Sequence, residues 1–323
     1  MDDNMSIKNK PSVQNGPKRI CVTGGKGGTG KTLIAVNLAT MFKNEGKKVL
    51  LVDGDVENPN TYLLLNGKLE NKEHVPFFKP VINEEKCSKC GLCAKNCATH
   101  ALLHVEGQYP IPFLNLCSGC KLCYKICPEN AIEEDYKELG WTYETNVNGM
   151  DLLVGELKPS EARSVGIVEA LMNKIDQRLQ EYPERYDVIV MDTAPGAHCD
   201  VELLLEKADK IIPVTEPTRF GELDLIRIID LIDLLKKDFR VIVNRSSLLG
   251  FREEFLDKLD EQDIQILGDI PLDDEIVKSY CQGIPLMEKN GKFDTESEGY
   301  KAFKEIYKNL QNWLNDSQVE ESI

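Results

Sequence analysis

The sequence predicts an α/β fold: a doubly wound, mostly parallel sheet interrupted by a small α+β insert. Three observations carry this. Short continuous apolar runs, such as residues 49–53 and 188–192, have the composition of strands buried on both faces. Segments with helical spacing alternate with them, as in βαβ units. Between residues 76 and 138 the rhythm fails, and most of the chain's 11 cysteines fall there.

In chain order, residues 1–17 are polar and aperiodic and read as a tail. Residues 20–23 form a short apolar strand that runs into a glycine-rich loop. Leu33, Val36, Leu38, Ala39 and Phe42 then recur at helical spacing, and Gly46 is a stop signal. The buried strand 49–53 ends in Asp53. Beyond residue 150 a long helix is expected over 160–182, with Ser160 as its cap. Strands follow at 188–192, 210–215, 240–244 and 264–270, with helices at 220–237 and 251–259. A last helix over 298–314 places Phe303, Ile306, Leu310, Trp313 and Leu314 on one face, and residues 316–323 read as an acidic tail. Residues 18–75 and 139–315 thus form one discontinuous domain around the insert 76–138.

The insert holds two runs of the form C-x2-C-x2-C-x3-C: Cys87, Cys90, Cys93, Cys97 and then Cys117, Cys120, Cys123, Cys127, followed by Pro128. Their surroundings repeat, which points to an internal duplication. Zinc is the competing reading, but structural zinc sites use four ligands as two separated pairs. Two continuous four-cysteine runs match the spacing that holds a pair of [4Fe–4S] clusters in bacterial ferredoxins. In that pattern the fourth cysteine of each run serves the other cluster. One cluster would take Cys87, Cys90, Cys93 and Cys127; the other would take Cys97, Cys117, Cys120 and Cys123. Ala98 stands where the second run has proline, so the first closing turn is less typical.

Gly25-Lys26-Gly27-Gly28-Thr29-Gly30-Lys31-Thr32 matches the phosphate-binding pattern G-x-x-x-x-G-K-S/T, and it sits between a strand and a helix as that pattern requires. Glycines let backbone N–H groups turn toward phosphate oxygens, and the helix N-terminus adds its positive end. Lys31 is expected to reach the β/γ-phosphates, and Thr32 to supply a hydroxyl to Mg2+.

The loop, with its additional Lys26, resembles the deviant Walker A motif of the MinD/Mrp/ParA ATPases and the nitrogenase iron protein. So do Val52-Asp53-Gly54-Asp55, Asp192-Thr193-Ala194-Pro195-Gly196 and Val243-Asn244-Arg245. The cysteine runs and Val214-Thr215-Glu216-Pro217-Thr218-Arg219-Phe220-Gly221 resemble a subgroup with an inserted ferredoxin-type domain. The resemblance implies that Lys26 crosses a nucleotide-sandwich homodimer to the partner's phosphates. It also implies that Asp55 orients the attacking water, that Asp53 and Asp192 support Mg2+ through water, that Asn244 bonds adenine, and that Arg245 belongs with it to the nucleotide-binding set. Such roles suit phosphoryl transfer, where catalysis is mostly positioning and charge stabilisation. The plainer reading of Asp53 and Asp55 is that they cap strand ends.

Three cysteines remain. Cys21 and Cys281 read as small core residues. Cys199, beside His198, is either a packed thiol or an interface metal or redox group, since related cluster ATPases bridge subunits near this position.

The net charge of −15, from 54 acidic and 39 basic residues, argues against nucleic acid. No apolar run approaches a membrane span and no signal-type segment is evident, so a reducing cytoplasm is expected. The last helix lacks the basic face of a membrane-surface helix and reads as core-packing. The expected cofactors are two [4Fe–4S] clusters, ATP/ADP and Mg2+, and the expected partners are a second copy and a redox or metallocluster protein. Three functions fit: nucleotide-gated electron transfer, metallocluster assembly, and a redox-sensing positioning ATPase.

Overall fold

The structure, a computed structural model, describes residues 16–320. Most of the tail expected at 1–17, and residues 321–323, lie outside the described residues. The strands are β1 (Lys18–Thr23), β2 (Val49–Gly54), β3 (Glu73–Ile82), β4 (Leu102–Leu103), β5 (Ile111–Pro112) and β6 (Ile132–Val147). They continue as β7 (Met150–Leu157), β8 (Val188–Thr193), β9 (Lys210–Thr215), β10 (Val241–Asn244) and β11 (Ile266–Ile270). The helices are α1 (Lys31–Asn44), α2 (Leu92–Lys95), α3 (Leu122–Ile126), α4 (Ser164–Glu181), α5 (Cys199–Glu206), α6 (Arg219–Leu234), α7 (Arg252–Glu261), α8 (Asp274–Gln282) and α9 (Glu298–Glu320).

Nine strands form one sheet in the order β11-β10-β9-β1-β8-β2-β7-β6-β3. The seven from β11 to β7 pair in parallel, and β6 and β3 add antiparallel at one edge. Alternation along each central strand feeds both faces. In β2, Val49 and Leu51 pack with α1 and α9, whereas Leu50 and Val52 pack with α4, α5 and α6. That two-sided burial is why these strands read as unbroken apolar runs.

The last helix buries the expected face: Phe303, Ile306, Leu310, Trp313 and Leu314 are all inside. Tyr307 meets Phe42 edge-on at 4.9 Å and donates its hydroxyl proton to Glu45 Oε2 at 2.8 Å. At about 1.5–3 kcal/mol per large side chain removed from water, this face contributes heavily to the core. The helix continues past residue 314 to Glu320.

Two expectations change. The helix expected from Ser160 begins at Ser164, after a turn in which Ser160 takes a left-handed backbone (φ 72°) and Glu161 N–H bonds back to the Lys158 carbonyl at 3.0 Å. The 76–138 boundary also passes through paired strands. β3 and β6 run together from Glu73–Thr142 to Ile82–Ile132 and belong to the main sheet, so the cysteine-rich segment proper is 83–131. Pro76 and Pro80 hid β3 from a pattern reading. They are tolerated because β3 is an edge strand, and its register slips between Val75 and Pro76.

Candidate functional site

β1 delivers the chain into the loop 24–30, and α1 starts at Lys31. The loop geometry needs glycine at two points in particular. Gly30 has φ 96°, and a Cβ there would lie 2.4 Å from Asn244 Nδ2; a Cβ on Gly25 would lie 2.2 Å from the Asp224 carbonyl oxygen. The first turn of α1 carries no acidic residue, so its positive end is uncompensated. Lys31 donates from Nζ to the Lys26 carbonyl at 3.0 Å. Asn244 donates from Nδ2 to the Thr29 carbonyl at 2.7 Å and accepts from the Arg245 N–H. In the structure, therefore, Asn244 braces the loop from the end of β10.

Gly27, Gly28, Gly30, Lys31, Thr32, Asp55, Asn244 and Arg245 border one cavity of about 760 Å³. Its far wall is Pro271, Leu272 and α8. Cys281, expected in the core, is exposed and lines this cavity. The α8 face that bears it turns outward because Ile276 and Ser279 take the inner positions. Cys21 is fully buried as expected, and burial pushes its thiol far up.

Three carboxylates converge beneath the loop. Asp53 is fully buried, and its Oδ2 accepts from Asn60 N–H (2.9 Å), Thr61 N–H (2.9 Å) and the Thr61 hydroxyl (2.8 Å), while Oδ1 takes Asp55 N–H at 3.2 Å. Burial raises it to about 6 against those hydrogen bonds. Asp53 thus anchors the segment that carries Asp55. Asp55 is also raised to about 6, by burial and then by the Asp53 charge. Asp192 is different. It is fully buried, and neither oxygen has a hydrogen-bond partner of normal geometry among the described residues. Burial, with the Asp53 charge added, holds it well above the carboxylate range; the Thr32 hydroxyl and Lys31 pull the other way. Lys31 is itself held low by burial, against the pull of Asp192 and Asp55. An orphaned buried carboxylate beside a loop hydroxyl is a donor set suited to a hard divalent cation and its waters. Of the residues expected to serve Mg2+, Asp192 has neither oxygen bonded in normal geometry among the described residues, whereas Asp53 already accepts three hydrogen bonds on Oδ2 and one on Oδ1.

Two partners of the loop were not legible as such in the sequence. Glu216, just after β9, holds Lys26 and Arg245. Thr61 holds Asp53. Cys199 is exposed at the start of α5, next to His198, whose ring stands over Gly196.

The segment 83–131 is a structural repeat. Left-handed backbone recurs in pairs at identical spacing: Lys89 with Gly119, Gly91 with Lys121, and His100 with Asn130. Ala101 N–H donates to Cys97 Sγ and Ala131 N–H to Cys127 Sγ, both at 3.2 Å, and Gly119 N–H donates to Cys117 Sγ at 3.4 Å. Cys93 is raised by burial first and then by Cys127, Cys87 and Cys90, its neighbours in the predicted first ligand set. Cys123, pushed up to about 11 by burial, faces Cys117 and Cys120 but also Cys93. Among the described residues no group of three or more His, Cys, Asp or Glu side chains is arranged to hold a metal ion.

The profile of the CobQ/CobB/MinD/ParA nucleotide binding domain matches residues 20–286. The chain belongs to this family. Its relatives include an uncharacterized protein of Methanocaldococcus jannaschii, MJ0579, 33% identical over 296 residues that cover 91% of this chain and 97% of that one. A shorter match of 62 residues, 39% identical, joins it to the iron-sulfur cluster carrier protein of Escherichia coli K12, covering 19% of this chain and 17% of the carrier. The fold is shared with the septum site-determining protein MinD of Pyrococcus horikoshii, solved with Mg-ADP. The TM-score is 0.57 at 20% identity, over 91% of this chain and 96% of that one. The family match begins at β1 and so includes the loop, Asp192 and Asn244. Among the described residues no helix is long and apolar enough to cross a membrane.

Proposed function

We propose that this member of the MinD/ParA family binds and hydrolyses MgATP as a homodimer. In the same reading, it couples nucleotide state to electron transfer through two [4Fe–4S] clusters held by the segment 83–131. The observation that carries the first half is the phosphate loop over a buried Asp192 whose oxygens lack a hydrogen-bond partner of normal geometry among the described residues. In this reading Lys31 neutralises the β/γ-phosphates, Thr32 and Asp192 hold Mg2+, Asp55 orients water, and Lys26 reaches the other subunit's phosphates. Lys26 then acts as a charge supplied in trans, which makes hydrolysis depend on dimerisation.

The second half is supported by the duplicated backbone around the eight cysteines and by thiol sulfurs that already accept backbone N–H bonds. Cys87, Cys90, Cys93 and Cys127 would hold one cluster, and Cys97, Cys117, Cys120 and Cys123 the other. Bound clusters supply one-electron chemistry. The partner is a redox or metallocluster protein.

The carrier-protein match favours a second reading, in which the protein assembles or delivers a metallocluster. Anaerobically purified protein separates the two. Faster electron transfer from reduced protein to a dye acceptor with MgATP than with MgADP supports coupling. Passage of additional iron to an apo-protein, with the eight-cysteine iron retained, supports delivery. Protein that binds no iron with all eight cysteines intact would remove both.

A further inference from the structure

Lys26 does not project freely from the loop. Its Nζ lies 3.3 Å from Glu216 Oε2, and the other carboxylate oxygen of Glu216 takes the guanidinium of Arg245. The Glu216 side chain is 7% exposed, against 31% for Lys26 and 45% for Arg245. A largely buried anion is therefore bracketed by two cations, one from the phosphate loop and one from the end of β10. The backbone fixes it there. Thr218 N–H donates to the Glu216 carbonyl at 2.7 Å, and a Cβ on Gly221 would lie 2.2 Å from that oxygen. Thr218 caps α6 by accepting Gly221 N–H, and α6 in turn presses Asp224 against Gly25. Carboxylate, helix start and loop are one packed unit.

We propose that Glu216 is a positioning residue: it keeps Lys26 on its own subunit in the nucleotide-free chain and yields it when a terminal phosphate is presented across the dimer. This rests on the reading of Lys26 as the lysine that acts in trans. An ammonium drawn onto a carboxylate of its own subunit is held back from a phosphate in the other, so the two anions compete for it. Removing both cations from a buried carboxylate would be strongly unfavourable, because the anion would be left uncompensated. Arg245 prevents that. It stays on Glu216 while Lys26 leaves, so release exchanges one partner of a shared anion and strands nothing. The arrangement makes phosphate, not protein concentration alone, the condition for freeing Lys26.

The test is sedimentation of the full-length protein with Mg2+ and a non-hydrolysable ATP analogue across a concentration series. It compares the wild type, Glu216→Gln, Lys26→Gln and the double variant. Glutamine still accepts from Arg245 but no longer holds an ammonium by charge. Glu216→Gln is expected to dimerise at about a tenfold lower protein concentration, the shift that loss of one competing ion pair produces. The double variant is expected to match Lys26→Gln. If Glu216→Gln does not fold by thermal melting, Glu216→Asp, which withdraws the carboxylate by one methylene, is read the same way. Unchanged or weaker dimerisation of the folded Glu216 variant, with Lys26→Gln still impaired, overturns the proposal while leaving Lys26 in its role. If Lys26→Gln dimerises like the wild type, the reading of Lys26 fails and the proposal fails with it.

Discussion

Arg163 donates from Nε to the carbonyl oxygen of Cys117 at 3.0 Å, so a side chain of the nucleotide-binding body grips the first cysteine of the second run. The same guanidinium reaches the Leu114 carbonyl, ion-pairs with Glu161 at 2.8 Å and stacks 4.7 Å from the Phe77 ring centroid. Arg163 immediately precedes α4. Just upstream, the end of β7 bonds to the residue after Asp55, with Leu157 N–H donating to the Val56 carbonyl at 2.7 Å. A short route of bonded and consecutive residues thus joins the segment after Asp55 to the second cysteine run.

Replacing Arg163 by alanine is therefore expected to loosen the segment 83–131 without touching the nucleotide cavity. Hydrogen bonds from a charged donor contribute about 1.5–3 kcal/mol each. Limited proteolysis should cut within 83–131 at least about tenfold faster, as loss of one such bond implies. Nucleotide affinity, followed by fluorescence titration, should stay within about twofold of the wild type. Unchanged proteolysis would show that the β3–β6 ribbon alone holds the segment.

Asp192 leads to a prediction with two opposite signs. Its buried carboxylate has no hydrogen-bond partner of normal geometry among the described residues and faces Asp53. Asp192→Asn removes the charge at constant shape, so the nucleotide-free protein should gain stability, on the order of 1–2 kcal/mol. Mg2+-dependent hydrolysis should fall by about a hundredfold or more, because the carboxylate proposed to hold the cation is lost. Urea unfolding and phosphate release measure the two effects. A destabilised variant would mean that the carboxylate has a partner after all.

The same cluster sets a pH dependence. Asp53 and Asp55 each titrate near 6 in the fold, above the ordinary carboxylate value, because they are buried. Between about pH 4 and 6 the folded state therefore holds more protons than the unfolded chain, and stability from these groups is present at low pH and lost as pH rises through 6. A cation held at Thr32 and Asp192 would reverse the balance through its charge alone, favouring the ionised forms of Asp53 and Asp55. The rise in Tm given by MgADP should be largest near pH 7.5 and shrink as pH falls through about 6. A rise in Tm that is flat from pH 5 to 8 would place the cation away from these carboxylates.

The parallel sheet and the phosphate loop were legible because both write themselves locally. Strands buried on two faces leave unbroken runs such as Leu50-Leu51-Val52, and the loop must have glycine where Gly30 meets Asn244. The cysteine spacing is local in the same sense. What escaped the sequence is held by contacts between distant segments. β3 carries two prolines that argue against a strand until its edge position is known. Arg163 looks like an ordinary charged residue beside a helix start, Glu216 stands out only as part of a motif with no partner assigned, and only the fold brings them to Cys117 and Lys26. Cys281 was misplaced because helical spacing gives a period but not which face turns inward.

Asp53 separates two roles that its sequence position leaves open. A carboxylate that supports Mg2+ keeps an oxygen toward the cation, whereas one that builds a loop spends its oxygens on backbone N–H groups. Here the Asp55, Asn60 and Thr61 N–H groups and the Thr61 hydroxyl all converge on Asp53. Thr61 is fully buried and lies behind the loop that carries Asp55. Thr61→Val keeps its shape and removes the hydroxyl donor, so a buried carboxylate loses one hydrogen bond at a cost of about 1–3 kcal/mol. If Asp53 is the loop anchor, kcat should fall together with stability while KM for MgATP holds, because Asp55 loses its position and the phosphate loop does not. If Asp53 serves the cation instead, the freed oxygen would bind Mg2+ more tightly, and the Mg2+ concentration needed for half-maximal hydrolysis would drop. Steady-state kinetics across a Mg2+ series distinguishes the two, and the hydrogen bonds around Asp53 point to the first.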